Sequence, residues 1–384
     1  MMHNTTKGII RYICHYNDCQ SSIKRLAAPS AINKIDYIID TLKGIGYKVE
    51  VISASPVIED NIKFFKAETR NINGITYKYF ASIGGNNLLI KFFKYLWHRL
   101  ILLFYLLANV KNTDTIIAYH SLSYKYILIL ARKIRKFKLI YEVEELYSDV
   151  IEKRNFNSRN LEIKMVSNAD AYIFPTEMLN AKINVHNKPN VIIYGSYAIG
   201  KTNTVKFNDG KIHVVYAGTF DVRKGGAAAA AAAAAHLPSN YHIHICGFGS
   251  PEDTKNIINI INEVSARSRA SVSFDGLKRG GEYINFLQSC DIGLSTQDPF
   301  AKFNGTSFPS KILSYMGNGL SVVSIDIPAI RGSRIGQYIS FYQTQDAKSI
   351  AKAIIEVDVR NNNIDIVSNL ADQFKADLSQ LITL

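Results

Sequence analysis

The feature that most constrains the fold of this chain is an alternation of short apolar runs with helical stretches, which occurs twice along the sequence. In the first half, strands are predicted near 9–16, 48–54, 75–82, 115–120, 138–144, 171–175 and 191–194. In the second half, they are predicted near 212–217, 242–246, 271–274, 292–295, 320–325 and 339–342. Strands that alternate with helices are typical of a parallel sheet covered on both faces. The predicted fold class is therefore α/β, with two Rossmann-like lobes facing each other across a cleft.

The length of 384 residues suits two domains rather than one core. We predict an N-terminal lobe at 1–195, a polar linker at 196–210, a C-terminal lobe at 211–355 and a helical segment at 356–384. In sheets of this kind, ligands bind at the carboxyl ends of the strands. The residues that follow each strand are therefore the first candidates for function.

Composition limits the class of protein. The chain is 47% hydrophobic and 20% charged, which is typical of a folded protein, and its formal net charge of +13 favours acidic partners. The polar first seven residues predict no secretory signal, so a cytoplasmic location is expected. The four cysteines have no metal-ligand spacing, and we expect reduced thiols and no metal site.

The segment 86–111 is rich in aromatic and aliphatic residues. Its longest uncharged apolar stretch, 100–110, is too short to span a bilayer, which takes about 20 residues. Four basic residues, Lys91, Lys94, His98 and Arg99, interrupt the rest. The segment is either a helix buried in the first lobe or an amphipathic helix at the surface of an acidic membrane. We favour the second interpretation, which predicts peripheral attachment to the cytoplasmic face of a membrane.

The segment 304–327 predicts a loop, a short helix, a glycine stop at 317–319 and a buried strand. Serine is a preferred N-cap residue, and the helix is predicted to begin within 307–310, with Pro309 in its first turn. A helix N-terminus attracts anions, and Lys311 adds a full positive charge. The segment is either a pyrophosphate-binding loop or an ordinary helix of an α/β sheet.

The run Pro309-Ser310-Lys311, followed by Tyr315-Met316 and a Val-Val strand, resembles the nucleotide-sugar loop of retaining glycosyltransferases of the GT-B fold, family 4 type. Most relatives carry a Glu-x7-Glu pair, whose positions fall here on Thr306 and Ser314. The resemblance therefore implies that backbone amides, rather than a carboxylate, contact the sugar and phosphates. The implied donor-binding residues of this loop are Thr306, Ser307, Phe308, Pro309 and Ser310.

The second lobe contains further elements that resemble this family. A strand ending in Gly218-Thr219 is followed by Lys224, which the resemblance assigns to the donor diphosphate; Arg223 stands where it can replace the arginine that usually follows the glycine. The resemblance also implies donor contacts at Gly247, Gly249, Gly276 and Leu277. Catalytic roles are expected for Lys224 and Lys311.

In the first lobe, His120 stands at the carboxyl end of a predicted strand, where the family has a histidine near the transferred sugar. The resemblance therefore implies a catalytic role for His120, with its ring facing the cleft. Acceptor-side roles are expected for Asp18, Ser21, Ser22 and Glu144.

The resemblance implies a retaining, metal-independent transfer of a sugar from a UDP- or GDP-linked donor to a glycan or lipid-linked acceptor in surface polysaccharide synthesis. No cofactor is expected beyond the donor. It also implies that the C-terminal helical segment returns to the first lobe. Two alternatives stay open: a non-catalytic basic protein that binds acidic membrane or nucleic acid, and a nucleotide-sugar epimerase of the same fold. Nucleic acid is not expected as a partner, because the chain has no aromatic-interleaved basic repeats and no helix-turn-helix pattern.

Overall fold

The computed structural model describes residues 7–18, 20–147, 156–201, 206–220, 226–359 and 363–384. The chain divides into two compact units. Unit 1 comprises Met1–Pro175, Leu179–Ile193 and Phe374–Leu384. Unit 2 comprises Thr176–Met178 and Tyr194–Gln373. The domain limits predicted from the sequence stay predictions, as does the cleft.

Unit 1 is built on an eight-stranded sheet in the order β10-β9-β8-β7-β1-β2-β5-β4. All neighbouring pairs are parallel except β4 with β5. A separate antiparallel pair joins β3 and β6. The strands are β1 Ile9–Cys14, β2 Lys48–Ser53, β3 Phe64–Phe65, β4 Glu68–Ile72, β5 Ile75–Tyr79, β6 Ser82–Ile83, β7 Thr115–Tyr119, β8 Lys138–Glu142, β9 Ala171–Phe174 and β10 Asn190–Ile192.

Helices pack on this sheet. Their apolar residues recur on one face, and burial of that face against the sheet stabilises the packing. In the first helix the residues Ile35, Ile38, Ile39 and Leu42 are fully buried, and the helix ends at Gly46, whose φ of 105° is left-handed. The helices of this part are α1 Pro29–Ile45, α2 Leu88–Asn109, α3 Lys125–Arg135, α4 Phe156–Val166 and α5 Glu177–Ile183.

Unit 2 contains a six-stranded, fully parallel sheet in the order β13-β12-β11-β14-β15-β16. Its strands are β11 Ile212–Thr219, β12 Tyr241–Phe248, β13 Ser271–Gly276, β14 Ile292–Ser295, β15 Ser321–Ile325 and β16 Ile339–Tyr342. Its helices are α6 Gly226–Ala232, α7 Pro251–Ser265, α8 Gly280–Ser289, α9 Lys311–Met316, α10 Pro328–Arg331 and α11 Ala347–Glu356, with 3-10 turns at Ala233–His236, Lys302–Gly305 and Gly336–Tyr338.

The predicted strands of both halves are confirmed, within a few residues at their ends. The helix α12, Ile364–Thr383, confirms the predicted helical character of the C-terminal segment. Its last residues group with unit 1, where Lys138 Nζ donates to the carbonyls of Leu381 and Ile382 at 2.8 and 3.1 Å. Cys14, Cys246 and Cys290 are buried free thiols, as expected.

Candidate functional site

The carboxyl ends of β11 and β12 bring two glycine backbones into direct contact. Gly218 and Gly247 are paired in register at this edge. Gly247 has a φ of 146°, and a Cβ atom there would lie 1.8 Å from the carbonyl oxygen of Gly218. Only glycine fits such an approach. The predicted glycine elements therefore lie side by side at the edge of the sheet where ligands bind.

The side chain of Lys311 reaches the same edge. Its Nζ lies 3.5 Å from the position that a Cβ on Gly218 would take. It also lies 4.4 Å from the centroid of the Tyr216 ring, a cation–π contact that positions the ammonium. A lysine charge beside bare glycine backbone is an arrangement that can bind a phosphate group.

The helix that carries this lysine begins where it was predicted to begin, although its cap is irregular. Ser310 is its N-cap residue but has helical dihedrals and makes no capping hydrogen bond through its side chain. The left-handed residue of the glycine stop is Gly319, with φ of 84°, whereas Gly317 stays helical at −68°. A serine at the N-cap position is thus confirmed, but it does not cap the helix through its side chain. Because α9 has only six residues, Lys311 rather than the helix end is the main source of positive charge here.

The loop before α9 contains an unsatisfied hydroxyl. Thr306 is buried, and its Oγ1 has no hydrogen-bond partner among the described residues. Its carbonyl accepts a hydrogen bond from Thr176 Oγ1 at 3.0 Å. Phe308 packs against Tyr194, with ring centroids 4.9 Å apart. The remaining loop residues are less buried: Ser307, Pro309 and Ser310. A buried hydroxyl without a partner is a position that a polar ligand atom can satisfy.

The other predicted donor contacts lie at the ends of β12 and β13. A Cβ on Gly249 would lie 2.9 Å from Phe220 Cβ, so this turn also requires glycine. Gly276 has a left-handed φ of 71°, and the following Leu277 is exposed. Thr219 is the last residue of β11. An exposed apolar residue after a glycine turn suits contact with a flat base, which stays a prediction for Leu277.

Arg223 and Lys224 lie outside the described residues. Their predicted roles stay predictions.

The acceptor-side loop of unit 1 is held by its own contacts. Asp18 is buried, and both its carboxylate oxygens lie 3.1 Å from Arg70 Nη1. Tyr79 Oη donates to Asp18 Oδ2 at 2.9 Å. Ser21 Oγ exchanges hydrogen bonds of 3.2 Å with the backbone of Ile23. Asp18 therefore stabilises the loop, and Ser22, which is exposed, is the residue of this set most open to a ligand.

Two carboxylates lie near the carboxyl end of β8. Glu144 accepts a hydrogen bond from Lys34 Nζ at 2.5 Å. Glu142 is fully buried and accepts from the Tyr12 hydroxyl. Burial, reinforced by the neighbouring Glu144, holds the pKa of Glu142 well above its usual range. Glu144 is therefore ion-paired with Lys34, while burial favours the protonated form of Glu142.

His120 follows β7 directly, as predicted, but its side chain is 2% exposed. Its Nε2 lies 3.5 Å from Glu162 Oε1 and makes no hydrogen bond among the described residues. Burial lowers the pKa of His120 to about 4, so the ring is neutral at physiological pH. The ring is therefore enclosed within unit 1, and both its predicted orientation toward the cleft and its catalytic role stay predictions.

Unit 1 contains an apolar cavity of about 390 Å³ that was not predicted from the sequence. His15, which follows β1, lines it together with Pro56, Val57, Leu102 and His98. Each histidine has one satisfied nitrogen: His15 Nε2 lies 3.0 Å from Ser123 Oγ, and His98 Nε2 lies 3.0 Å from Ser82 Oγ.

The second nitrogens of these rings, His15 Nδ1 and His98 Nδ1, have no partner in the described part of the chain. Burial lowers the pKa of both residues to about 4, which keeps the rings neutral. The cavity thus combines apolar walls with two unsatisfied polar atoms, as small-molecule sites do. Its lining comes from several separate segments, so spacing along the sequence gave no signal for it.

One wall of this cavity is α2, whose other face is apolar and exposed. Phe92 and Phe93 are 62% and 63% exposed. The exposed apolar residues of the helix are Leu88, Leu89, Phe92, Phe93, Tyr95, Leu96, Trp97, Leu100 and Phe104. Only His98, Leu102 and Leu106 are buried, so the interpretation as a fully buried helix is wrong. Among the described residues, no helix has both the length and the apolar character needed to cross a membrane.

The chain matches no model of a known protein family and no curated protein by sequence. Its fold is nevertheless shared with solved structures. It is similar to an E. coli trehalose-6-phosphate protein bound with UDP-2-fluoro glucose, with a TM-score of 0.70, 11% identity, and 98% of this chain and 99% of that chain covered.

Two further similar structures come from Burkholderia. The UDP-forming α,α-trehalose-phosphate synthase of Burkholderia vietnamiensis gives a TM-score of 0.67 at 11% identity, with 100% of both chains covered. The corresponding enzyme of Burkholderia xenovorans, in complex with glucose-6-phosphate, gives 0.68 at 8% identity, with 98% of this chain and 100% of that chain covered. These likenesses establish the GT-B fold of this chain.

Proposed function

We propose that the protein is a retaining glycosyltransferase that uses a nucleotide-sugar donor. The observation that carries the proposal is the contact of Gly218 and Gly247 at the carboxyl edge of the unit 2 sheet, with Lys311 Nζ beside it. Support also comes from the fold, because one of the similar structures holds UDP-2-fluoro glucose and another concerns glycosyl transfer with retention by trehalose-6-phosphate synthase. UDP is therefore preferred over GDP as the donor nucleotide.

In the proposed reaction, the bond between the anomeric carbon and the donor phosphate oxygen breaks, and a bond to the acceptor hydroxyl oxygen forms on the same face. The acceptor proton passes to the leaving phosphate oxygen. Negative charge that develops on the diphosphate is stabilised by Lys311 and, as the sequence predicts, by Lys224 rather than by a metal ion. The unsatisfied hydroxyl of Thr306 is available to donate to a sugar or phosphate oxygen.

The acceptor is proposed to be a glycan or lipid-linked saccharide in surface polysaccharide synthesis. The apolar cavity of unit 1 suits the apolar part of an amphiphilic molecule, and His15 Nδ1 can bond to a hydroxyl. The exposed face of α2 is proposed to rest on the cytoplasmic face of an acidic membrane. Lys91 and Arg99 on this helix, and the net charge of +13, favour anionic lipid.

A sugar-phosphate acceptor is the second candidate. It is favoured by the complex of the Burkholderia xenovorans neighbour with glucose-6-phosphate. The two acceptors are distinguished by mass spectrometry of products formed from UDP-sugars with glucose-6-phosphate or with a lipid-diphosphate extract.

Donor binding is tested by calorimetry with UDP, GDP and an oligonucleotide. We expect UDP to bind and the Lys311→Ala variant to lower turnover at least tenfold. Lys352→Ala is the matched control, because that lysine is 74% exposed and its Nζ lies 3.8 Å from Glu356 Oε1. Binding of the oligonucleotide without UDP would instead support the non-catalytic alternative.

Membrane attachment is tested separately by flotation with vesicles that contain anionic lipid. Replacement of Phe92 and Phe93 by serine should reduce the bound fraction severalfold, since both rings are exposed. Phe300→Ser is the control, because this ring is 90% exposed in unit 2. Equal flotation of all variants would refute the role of α2 without affecting the donor site.

A further inference from the structure

Three histidines of unit 2 lie together at the amino ends of its central strands. His213 is the second residue of β11, and His242 and His244 are the second and fourth residues of β12. Residues two apart on a strand share a face, and His213 pairs in register with His242. As a result, one ring nitrogen from each histidine lies within 4.8 Å of the other two.

Two carboxylates fix the outer nitrogens of this cluster. His213 Nε2 lies 2.9 Å from Asp209 Oδ1, and His244 Nδ1 lies 3.1 Å from Asp275 Oδ2. Because an ionised carboxylate only accepts hydrogen bonds, both of these nitrogens carry hydrogens. The inner nitrogens, His213 Nδ1 and His244 Nε2, are 2.8 Å apart. If the rings are neutral, both inner nitrogens present lone pairs to each other. Two lone pairs repel at this distance unless a proton or a cation lies between them.

The third ring is oriented in the same way. Ser273 Oγ donates to Asp275 Oδ2 at 2.7 Å. Its single hydrogen is thereby used, so it accepts from His242 Nε2 at 2.9 Å. This assignment leaves Nδ1 of His242 without a hydrogen. All three histidines thus have one nitrogen that donates to an outer acceptor and one that is free of hydrogen.

We propose that His213, His242 and His244 bind a first-row divalent cation, for which zinc is the best fit. Histidines that ligate metals almost always donate their other nitrogen to a carboxylate or another acceptor, which is the pattern found here. Imidazole is a preferred ligand of zinc, and a Zn–N distance of about 2.0–2.1 Å places tetrahedral nitrogens roughly 3.3 Å apart. His242 and His244 are stacked with ring centroids 4.1 Å apart, so metal binding requires rotation of the rings about their broad second torsion. A fourth position is left for water or a small ligand.

Apolar rings shield the cluster from solvent. Phe207 stacks on His213 with centroids 4.1 Å apart, and the edge of Phe286 meets His244 at 5.1 Å. A hydrophobic shell of this kind limits water access to a metal. The site is independent of the proposed transfer reaction, because Gly218 lies five residues further along β11, about 16 Å away. It departs from the expectation of no metal site, which rested on the cysteines alone.

The experiment uses the full chain without a histidine tag, stripped with a chelator and then supplied with zinc. After gel filtration we expect one zinc per chain by elemental analysis, and a thermal midpoint several degrees higher than in chelator. The His242→Ala variant should bind zinc at least 100-fold more weakly. His186→Ala is the matched control, because this exposed histidine lies in unit 1.

Cobalt titration of the wild-type chain provides a second readout that does not depend on the folding of a variant. A saturable, one-to-one visible absorption typical of four-coordinate cobalt, displaced by zinc, would support the site. Zinc lost on gel filtration, or retained equally by His242→Ala, would mean an adventitious ion only and would overturn the proposal. So would the absence of a cobalt spectrum.

Discussion

Substitution of Gly218 by alanine tests the proposed donor site without removing a charge. The added methyl group would lie 3.5 Å from Lys311 Nζ and 3.0 Å from the Tyr216 hydroxyl, where a phosphate oxygen is proposed to approach. The closest atoms are the hydroxyl and Cζ of the buried Tyr216 ring, at 3.0 and 3.3 Å, so this ring has to move by a few tenths of an ångström, a shift that we expect the fold to tolerate. The methyl group should nevertheless keep the phosphate away from the lysine.

The size of the effect follows from the contact that is lost. A hydrogen bond to a charged group contributes about 1.5–3 kcal/mol. Since 1.4 kcal/mol corresponds to a factor of ten, UDP should bind about 10- to 150-fold more weakly. The assay is calorimetric titration with UDP, accompanied by thermal unfolding.

Gly281→Ala is the control for this experiment. A Cβ at that position in α8 would meet nothing within 4 Å, so UDP binding should not change. If Gly218→Ala bound UDP within about threefold of the wild-type chain, less than the loss of one such hydrogen bond implies, then the phosphates do not approach this glycine and the proposed site is misplaced.

Two further substitutions test the energetics of the fold. Glu142→Gln should raise the free energy of unfolding above about pH 4.3. The folded wild-type chain keeps a carboxyl proton that the unfolded chain releases. Its free energy of unfolding therefore falls by at most about 1.4 kcal/mol per pH unit until the pH passes the raised pKa of Glu142. The measurement is urea unfolding at several pH values, and an equal dependence of the free energy of unfolding on pH in both proteins would refute this. Gly247→Ala should lower the free energy of unfolding by about 1–3 kcal/mol or more in the same assay, because alanine would adopt a strained φ of 146° and its Cβ would clash with the Gly218 carbonyl. An unchanged unfolding midpoint would show that the two strands separate freely at this edge.

Much of the fold could be predicted from the sequence because buried parallel strands are continuous apolar runs. The missed edge strand β4 has a different pattern: only half-buried or exposed residues, Glu68–Ile72. It pairs with β5 across Asn73-Gly74, whose φ values of 52° and 80° are both positive. Asn-Gly between strands is the strongest local hairpin signal, so this pairing could have been predicted.

The candidate sites differ in how far neighbouring residues along the sequence are enough to predict them. The glycine and lysine elements of the donor site are short motifs that each follow one strand, so the sequence could suggest Gly218, Gly247 and Lys311. Burial is not local, so the enclosure of the His120 ring could not be predicted from its position after a strand. The cavity around His15 depends on several segments that only the fold brings together.

The histidine cluster could be predicted only in part from the sequence. The spacing of His242 and His244 is local, but the third ligand follows from the register that places His213 opposite His242. That register runs without a break from Ile212 and Tyr241 to the glycine pair at the carboxyl end. The same two strands therefore carry both proposed sites at opposite ends. Because a regular parallel pair holds its register through backbone hydrogen bonds along its whole length, zinc is not needed to align the glycines. Loss of the metal should thus lower the thermal stability of the protein while UDP binding persists. The zinc site and the donor site can therefore be tested independently.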